Sequence, residues 1–159
     1  MDSRYFNVSI HRCLRRLGGR WSGRWLQAQW SPNEISYDIG WKELFAIVQA
    51  VNSWGRMWKR KKILFHCDNQ TIVDIWQKGS TRSPEIMALI RMLYFIATQY
   101  NVNVTITHIP GTSNLIADAL SRFQNFRFRQ LAPEAQPLPD PILVWPIELC
   151  AMSSTTPNN

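Results

Sequence analysis

The chain has 159 residues and a mass of 18.6 kDa, which fits one domain, and 45% of its residues are hydrophobic, which excludes wholesale disorder. It contains no run of about 18 apolar residues, so no transmembrane segment is predicted. The 18 Lys and Arg residues exceed the 11 Asp and Glu residues, giving a net charge of +7 and a pI near 9.8. This excess favours a polyanionic partner, with nucleic acid ahead of a membrane surface.

The N-terminus and the cysteines indicate the compartment. The first residues lack the apolar stretch of a secretory signal, and the cysteines at positions 13, 67 and 150 form no C-x-x-C pair. A disulfide framework or a zinc site is therefore not expected. These features predict an intracellular protein, in the cytoplasm, the nucleus or both.

Charge and proline content divide the chain into three regions. Residues 1–19 form a basic segment of unassigned fold, within an N-terminal stretch of 30 residues that carries six arginines and one aspartate. Residues 20–123 carry the periodic patterns of a folded domain. Residues 124–159 hold six of the nine prolines and are predicted to form an extended tail or linker.

Helical and strand patterns alternate within the central region. A loose alternation between residues 20 and 30 indicates a strand. The apolar positions 41, 44, 45, 48 and 51 recur at helical spacing, and Asp38 precedes them as a candidate N-cap. Residues 63–65 form a short apolar run typical of a buried strand. Residues 71–78 then predict a helix that ends at Gly79.

The second half of this region follows the same alternation. Ser83 and Pro84 are a strong helix opening, with the serine at the N-cap and the proline at N1, and an apolar stripe continues to Tyr100. Residues 102–107 alternate between apolar and polar side chains, as in a half-buried strand. Ser113 or Asn114 can cap a last helix through residue 123. This order predicts an α/β fold in which helices flank a mixed sheet.

The folded part contains few carboxylates, so each is a candidate for chemistry. Cleavage of a phosphodiester needs clustered carboxylates, because these hard oxygen ligands hold Mg²⁺ ions. Asp68 is the best placed, since it follows an apolar strand at the edge where α/β sheets bind ligands. The alternative is that Asp68 or Asn69 only caps the following helix. The candidates are Asp2, Glu34, Asp38, Glu43, Asp68, Asp74, Glu85 and Asp118.

Three polar residues are ambiguous from pattern alone. Glu43 lies at the edge of the apolar arc of its helix, where most glutamates are boundary residues. Asp118 lies between two alanines, but helical spacing turns it away from the apolar stripe and towards solvent. His108 follows the last strand and precedes a Pro-Gly turn, as ordinary loop histidines do. Spacing by itself does not establish a site.

A second cationic cluster places five cations within residues 56–62. Tryptophans at positions 54 and 58 accompany it, and those at positions 21 and 25 accompany the N-terminal arginines. Cations interleaved with exposed aromatics suit contact with phosphates and stacking on bases. The alternative is a solvated charged face with the tryptophans in the core. The candidate nucleic-acid contacts are Arg56, Trp58, Lys59, Arg60, Lys61 and Lys62.

Three strings of the central region resemble the ribonuclease H domain of retroelement polyproteins. They are WKELFAIV at residues 41–48, HCDNQ at residues 66–70 and HIPGTSNLIADALSR at residues 108–122. Within that group the chain looks most like the DIRS-type, tyrosine-recombinase retrotransposons. The resemblance covers about residues 20–133. It implies a ribonuclease H-like fold, with a five-stranded mixed sheet, that cuts the RNA strand of an RNA–DNA hybrid.

The resemblance also implies which residues would act. Glu43, Asp68 and Asp118 would be the catalytic carboxylates that ligate two Mg²⁺ ions, for which Mn²⁺ can substitute. His108 would be the histidine of the loop that assists product departure.

Partners are implied in the same way. Asn69 and Asn114 would contact the RNA–DNA hybrid. In a polyprotein, a reverse transcriptase would lie upstream and a recombinase downstream. No membrane partner is expected, and the oligomeric state is not predicted.

The N-terminus departs from the family pattern. Related domains carry a further aspartate on their first strand, in a stretch followed by a glycine-rich turn. Here Asp2 and Ser3 begin in that way, but no such turn follows, and Gly18 and Gly19 come much later. Either Asp2 completes the site as a fourth carboxylate, or the N-terminal strands are missing or degenerate. In the second case the metal ions lose a shared ligand.

Two functions of different class follow. The first is a ribonuclease H-type endonuclease domain of a retrotransposon polyprotein. The second is an inactive ribonuclease H-like remnant, which only binds nucleic acid or connects neighbouring domains. Metal-dependent cleavage of a hybrid separates the first from the second, and salt-dependent binding without cleavage indicates a remnant that binds nucleic acid.

Overall fold

Strands and helices alternate in a computed structural model of the chain, which describes residues 5–9, 23–30, 35–113 and 115–142. The elements in these residues are β1 (Tyr5–Ser9), β2 (Trp25–Gln29), α1 (Ile39–Trp54), β3 (Lys62–Cys67), α2 (Gln70–Lys78), α3 (Pro84–Tyr100), β4 (Asn103–His108), α4 (Leu115–Ser121) and α5 (Asn125–Leu131). A short 3₁₀ turn, Gly111–Ser113, precedes α4. The predicted α/β class is confirmed.

Capping residues fix the ends of the helices where the sequence predicts them. The Asp38 carboxylate accepts a hydrogen bond from the Trp41 amide at 2.7 Å and begins α1. The Ser83 hydroxyl caps α3, whose first residue is Pro84. Gly79 ends α2 in the left-handed region, at φ 71°. These local signals are sufficient to place the three longest helices.

The strands form two pairs within the described residues. β1 and β2 are antiparallel, and β3 and β4 are parallel with Cys67 opposite His108. The described residues therefore do not form the five-stranded sheet that the family resemblance implies. β1 lies inside the basic segment of residues 1–19, so an N-terminal strand is present where we considered that it could be missing.

The main hydrophobic core surrounds α1. Twelve of its sixteen residues are buried, so the helix is covered on nearly all sides. Leu26 and Trp30 reach this core from the side of β2, and Ile63 and Phe65 reach it from β3. One core thus unites the two strand pairs around α1. Each large side chain buried there contributes about 1.5–3 kcal/mol.

Trp58 belongs to this core and not to the surface. Its side chain is 3% exposed and packs edge-on against Trp54 and Phe65, with ring centroids 5.7 and 6.0 Å away. The prediction that Trp58 stacks on nucleic-acid bases is therefore wrong, because its indole offers no free face. Trp54 and Trp25 are buried as well, whereas Trp21 lies outside the described residues.

The segment after residue 123 is folded at least to residue 140, which corrects the prediction of an extended linker for that stretch. Helix α5 buries Phe128 against Trp25. Further along, the Gln136 amide donates to the Gly23 carbonyl at 2.9 Å, and the Asp140 amide donates to the Trp25 carbonyl at 2.8 Å. The prolines do not prevent this packing, because the amides that donate to Gly23 and Trp25 belong to Gln136 and Asp140. Residues 143–159 lie outside the described residues.

Asp140 joins this segment to α1. Its Oδ2 accepts hydrogen bonds from Arg24 Nε at 2.7 Å and Trp54 Nε1 at 2.8 Å, and its Oδ1 accepts from Arg24 Nη2 at 3.1 Å. Burial alone would raise the pKa of the Asp140 carboxyl, but these hydrogen bonds and the Arg24 charge lower it below its ordinary value. The carboxylate therefore links the C-terminal segment both to the strand pair and to the main core.

We expect Asp140→Asn to lower the free energy of unfolding by about 1–3 kcal/mol at neutral pH. Whichever way the new amide turns, one of its N–H groups faces a donor of Arg24 or Trp54. Because the pKa is lower in the folded chain, the unfolded chain takes up the proton first as the pH falls. The stabilisation is therefore present above about pH 4 and is lost below it. Urea unfolding at about pH 7 and pH 3 checks this, and equal stabilities at neutral pH would contradict it.

Candidate active site

Two carboxylates and a thiol meet where α1 begins and β3 ends. The ligand atoms of Glu43, Cys67 and Asp68 all lie within 4.8 Å of one another. Glu43 is half-buried, Cys67 is buried and Asp68 is exposed. The Cys67 thiol lies 3.9 Å from Glu43 Oε2 and 3.8 Å from the Asn69 carbonyl. Within the described residues, these three side chains form the group that could hold a metal ion.

The alternation of β3 explains why these side chains meet. Ile63, Phe65 and Cys67 are buried at every second position, so the strand ends with Cys67 facing the core. Asp68 follows beyond the sheet edge, where it is open to solvent. Glu43 comes from the flank of α1, next to the fully buried Leu44. The core contacts of the helix and the strand thereby hold two carboxylates at one edge.

The Glu43 carboxylate is in an unfavourable electrostatic environment. Burial, and then the charge of the neighbouring Asp68, raise the pKa of Glu43 to about 7, against an opposing hydrogen bond from Asn69. Burial likewise raises the pKa of the Cys67 thiol to about 12, so the thiol stays protonated at neutral pH. The carboxyl groups and not the thiol therefore supply the ligand atoms, and carboxyl oxygens are ligands that Mg²⁺ prefers. The donor set fits a hard divalent cation and not a thiolate-bound one.

Asn69 has two structural roles beside the site. Its side-chain oxygen accepts a hydrogen bond from the Ile72 amide at 3.4 Å and caps α2, which is one of the alternatives that the sequence allows. The same side chain hydrogen-bonds with Glu43. Asp68 does not cap α2 and remains available at the edge of the sheet.

The turn after β4 also reaches this edge. His108 ends β4 opposite Cys67, and the next amide, of Ile109, donates to the Cys67 carbonyl at 3.0 Å. A Cβ on Gly111 would lie 3.4 Å from Asp68 Oδ2, an ordinary van der Waals contact, so the turn lies beside the Asp68 carboxylate. His108 is exposed and lies outside the three-residue cluster. Its predicted role in product departure stays a prediction.

Asp118 is the third carboxylate that the resemblance assigns to metal binding, and it lies on α4. It is half-buried on α4 and forms ion pairs with Arg122 Nε at 2.7 Å and with Arg127 Nη1 at 3.7 Å. It is not part of the cluster with Glu43 and Asp68. The structure thus brings together two of the three carboxylates expected to ligate metal, and the role of Asp118 stays a prediction. Asp2 and Asn114 lie outside the described residues.

Sequence reasoning missed Cys67 and Gly111 as neighbours of the carboxylates. Cys67 directly precedes Asp68. The alternation of apolar positions in β3 was the signal in the sequence that the Cys67 side chain faces the core. Gly111 carried no such signal, because its approach to Asp68 depends on the path of the turn after β4.

The predicted cationic contacts are separate from this cluster. Their side chains are exposed in the loop between α1 and β3 and at Lys62, the first residue of β3, apart from the buried Trp58. The exposed cations are Arg56, Lys59, Arg60, Lys61 and Lys62.

Comparison with known proteins places the chain in a family. Residues 21–124 match the family model described as reverse transcriptase-like. The chain belongs to this reverse transcriptase-like family. It is also similar to a putative enzymatic polyprotein of Cassava vein mosaic virus, with 31% identity over 102 residues. The aligned part is 64% of this chain and 15% of the viral polyprotein, and no solved structure matches the chain significantly.

Membership of the reverse transcriptase-like family confirms the predicted ribonuclease H-like fold and, at the level of the family, the resemblance to retroelement domains. The finer DIRS-type assignment stays a prediction. Among the described residues, no helix is long and apolar enough to cross a membrane.

In this reverse transcriptase-like domain, we expect Glu43→Gln to raise the free energy of unfolding by about 1 kcal/mol at pH 8, a figure reduced for the partial exposure of Glu43. The Glu43 carboxyl ordinarily titrates at 4.5, but in the folded chain it holds its proton up to about pH 7. The parent therefore loses stability as the pH rises between these values, and the variant does not. Chemical unfolding at pH 8 and below pH 4.5 measures the difference, which should vanish at the lower pH.

Asp68→Asn provides the control, because it relieves the same repulsion from the other side. The double variant should gain less stability than the sum of the single variants. Additive gains, or a gain that does not depend on pH, would show that the two carboxylates are not coupled.

Proposed function

We propose that this chain is a ribonuclease H-type endonuclease domain of a retroelement polyprotein, which cuts the RNA strand of RNA–DNA hybrids. The carboxylate pair of Glu43 and Asp68 at the edge of a ribonuclease H-like fold is the observation that carries the proposal. The similarity to a viral enzymatic polyprotein supports the polyprotein context. In that context a reverse transcriptase upstream and a recombinase downstream are the proposed neighbours, in keeping with the DIRS-type resemblance.

Glu43 and Asp68 would hold a divalent cation, Mg²⁺ or Mn²⁺, and Asp118 is proposed for a second one. When bound, such a cation supplies positive charge that activates water and stabilises the phosphate oxygens during in-line hydrolysis. Glu43 and Asp68 are suited to this task because they offer hard oxygen ligands and because a bound cation would offset their mutual repulsion.

The neighbouring residues would bind and orient the hybrid. Asp68 and His108 are exposed at the same sheet edge, so both are open to a nucleic-acid strand. Gly111 leaves space beside the Asp68 carboxylate. Asn69 holds Glu43 through its hydrogen bond, and we propose that it also faces the substrate. The 2′-hydroxyl and the shape of the hybrid would distinguish the RNA strand from DNA.

Metal binding can be measured without cleavage. We expect millimolar Mg²⁺ or Mn²⁺ to raise the Tm of the parent by several degrees, because a ligand that binds only the folded chain stabilises it by mass action. Asp68→Asn should abolish the shift. Asp74→Asn, the same substitution at an exposed aspartate of α2 outside the cluster, should retain it. Equal shifts in all three proteins would indicate nonspecific ion effects.

Cleavage of a hybrid labelled on its RNA strand, in Mg²⁺ and in Mn²⁺, tests the proposed activity. We expect the parent and Asp74→Asn to cut, and Asp68→Asn to lose at least about 100-fold in rate while still binding the hybrid. Asp118→Asn and Asp2→Asn show whether those carboxylates contribute. A cutting Asp68→Asn variant would remove Asp68 from the site.

An inactive domain that only binds nucleic acid is the second candidate. The ion pairs of Asp118 with Arg122 and Arg127 favour it, because they occupy the carboxylate proposed for the second cation. Hybrid binding without cleavage in either metal would select this function. Absence of both binding and cleavage would instead leave a connection domain between the neighbours in the polyprotein.

A further inference from the structure

Residues 56–62 carry five exposed cations, four in the loop between α1 and β3 and Lys62 at the first position of β3, and are named here the basic loop. Among the described residues, the ion pairs involve Arg24, Arg122 and Arg127, and none involves a cation of this loop. Five positive charges within seven residues repel one another unless an external anion compensates them. The loop therefore presents uncompensated positive charge.

The basic loop lies at the opposite end of the domain from the carboxylate pair. The loop joins the end of α1 to the start of β3, whereas Glu43 lies near the start of α1 and Asp68 follows the end of β3. The eleven steps from Glu43 to Trp54 span about 16 Å at the helical rise. The five steps from Lys62 to Cys67 span about 17 Å at the strand rise. Both lengths separate the loop from the carboxylates by roughly 17 Å.

The backbone of the basic loop is held in place. Buried Trp58 anchors its centre, and Tyr100 packs so closely on Gly55 that a Cβ there would lie 2.5 Å from its ring. The Arg60 amide donates to the Asn101 carbonyl at 3.0 Å. Arg60 itself adopts φ 63°, a left-handed conformation that favours glycine. Arg60 thus lies on a turn of fixed backbone, in a conformation that is unfavourable for any residue other than glycine.

We propose that the basic loop is a second nucleic-acid site, which binds backbone phosphates of the hybrid about 17 Å from the carboxylates. Its side chains are cationic and its tryptophan is buried, so binding there is electrostatic and independent of base sequence. Membership of a reverse transcriptase-like family favours nucleic acid over an acidic protein as the anion. The proposal rests on the proposed hybrid substrate but not on cleavage.

The distance between the basic loop and the carboxylates also sets the number of nucleotides that lie between them. Phosphates of one strand follow each other at about 3.4 Å along a duplex, so a strand that reaches both ends of the domain spans about five nucleotides. The basic loop would therefore hold the hybrid one-half turn away from the site of reaction and align it there.

Salt-dependent binding of the full chain to a 20-base-pair hybrid tests the proposal, with fluorescence anisotropy as readout. The triple variant Lys59→Gln, Lys61→Gln, Lys62→Gln should lower the salt slope by about two to three. If affinities converge at 1 M salt, this corresponds to a loss of roughly 100- to 1,000-fold at 0.1 M. The control triple variant is Lys78→Gln, Arg82→Gln, Arg91→Gln, which removes the same charge from exposed positions elsewhere.

A second pair of variants separates charge from folding. Arg60→Gly removes one cation and fits the left-handed backbone, so it should fold normally and lower the slope by about one. Asn101→Gly, at φ 53°, makes the same backbone change without altering charge and should leave the slope unchanged. Thermal unfolding of each variant confirms that the fold is intact.

Several results would overturn the proposal. They are an unchanged slope in the loop variants, an equal loss in the control triple variant, and competition by polyglutamate as effective as that by the duplex, which would indicate an acidic protein partner. Asp68→Asn should keep the binding contributed by the basic loop. Normal binding by Asp68→Asn without cleavage by the parent would therefore contradict the proposed activity and leave this inference standing.

Discussion

The burial of α1 on nearly all sides is the constraint on which the rest of the structure depends. Twelve of its sixteen residues face protein, so the helix has a single rotational setting about its axis. That setting directs Glu43 towards the end of β3, and it brings Trp54 to the Asp140 carboxylate. A shift of α1 would disturb the carboxylate pair and the C-terminal segment together.

The same helix separates the charges of the domain. The carboxylates lie towards its N-terminal end, and the basic loop follows its C-terminal end. Repulsion within each group of charges is costly in the free protein, and a cation at one end or a phosphate chain at the other removes it. Such unfavourable groups are typical of binding sites.

Local signals in the sequence were sufficient to predict most of the helices and strands. Asp38, Ser83 and Gly79 each act through backbone groups of their immediate neighbours, so their caps can be read directly. The carboxylate pair was not readable in this way. Spacing left Glu43 as a boundary residue, and the family resemblance brought it to Asp68, because that contact depends on how a helix packs on a strand.

Contacts between distant residues account for what the sequence did not predict. The cations around Trp58 in the sequence suggested an exposed side chain. Its burial depends on contact with Phe65, which comes from the next strand. Prolines made the C-terminal segment look extended, yet Phe128 packs on Trp25 from more than a hundred residues away. No periodic pattern encodes such pairs.

The attachment of residues 136–140 to the strand pair has a consequence for proteolytic maturation. The segment supplies the partners of Gly23, Trp25 and Trp54 and therefore completes the domain. If the domain is released from a longer polyprotein, a cut that leaves it intact falls after residue 140. A cut near residue 124 would remove α5 and expose the indole of Trp25, giving a product prone to unfold and aggregate. A viable processing site in such a precursor would thus lie on the C-terminal side of residue 140.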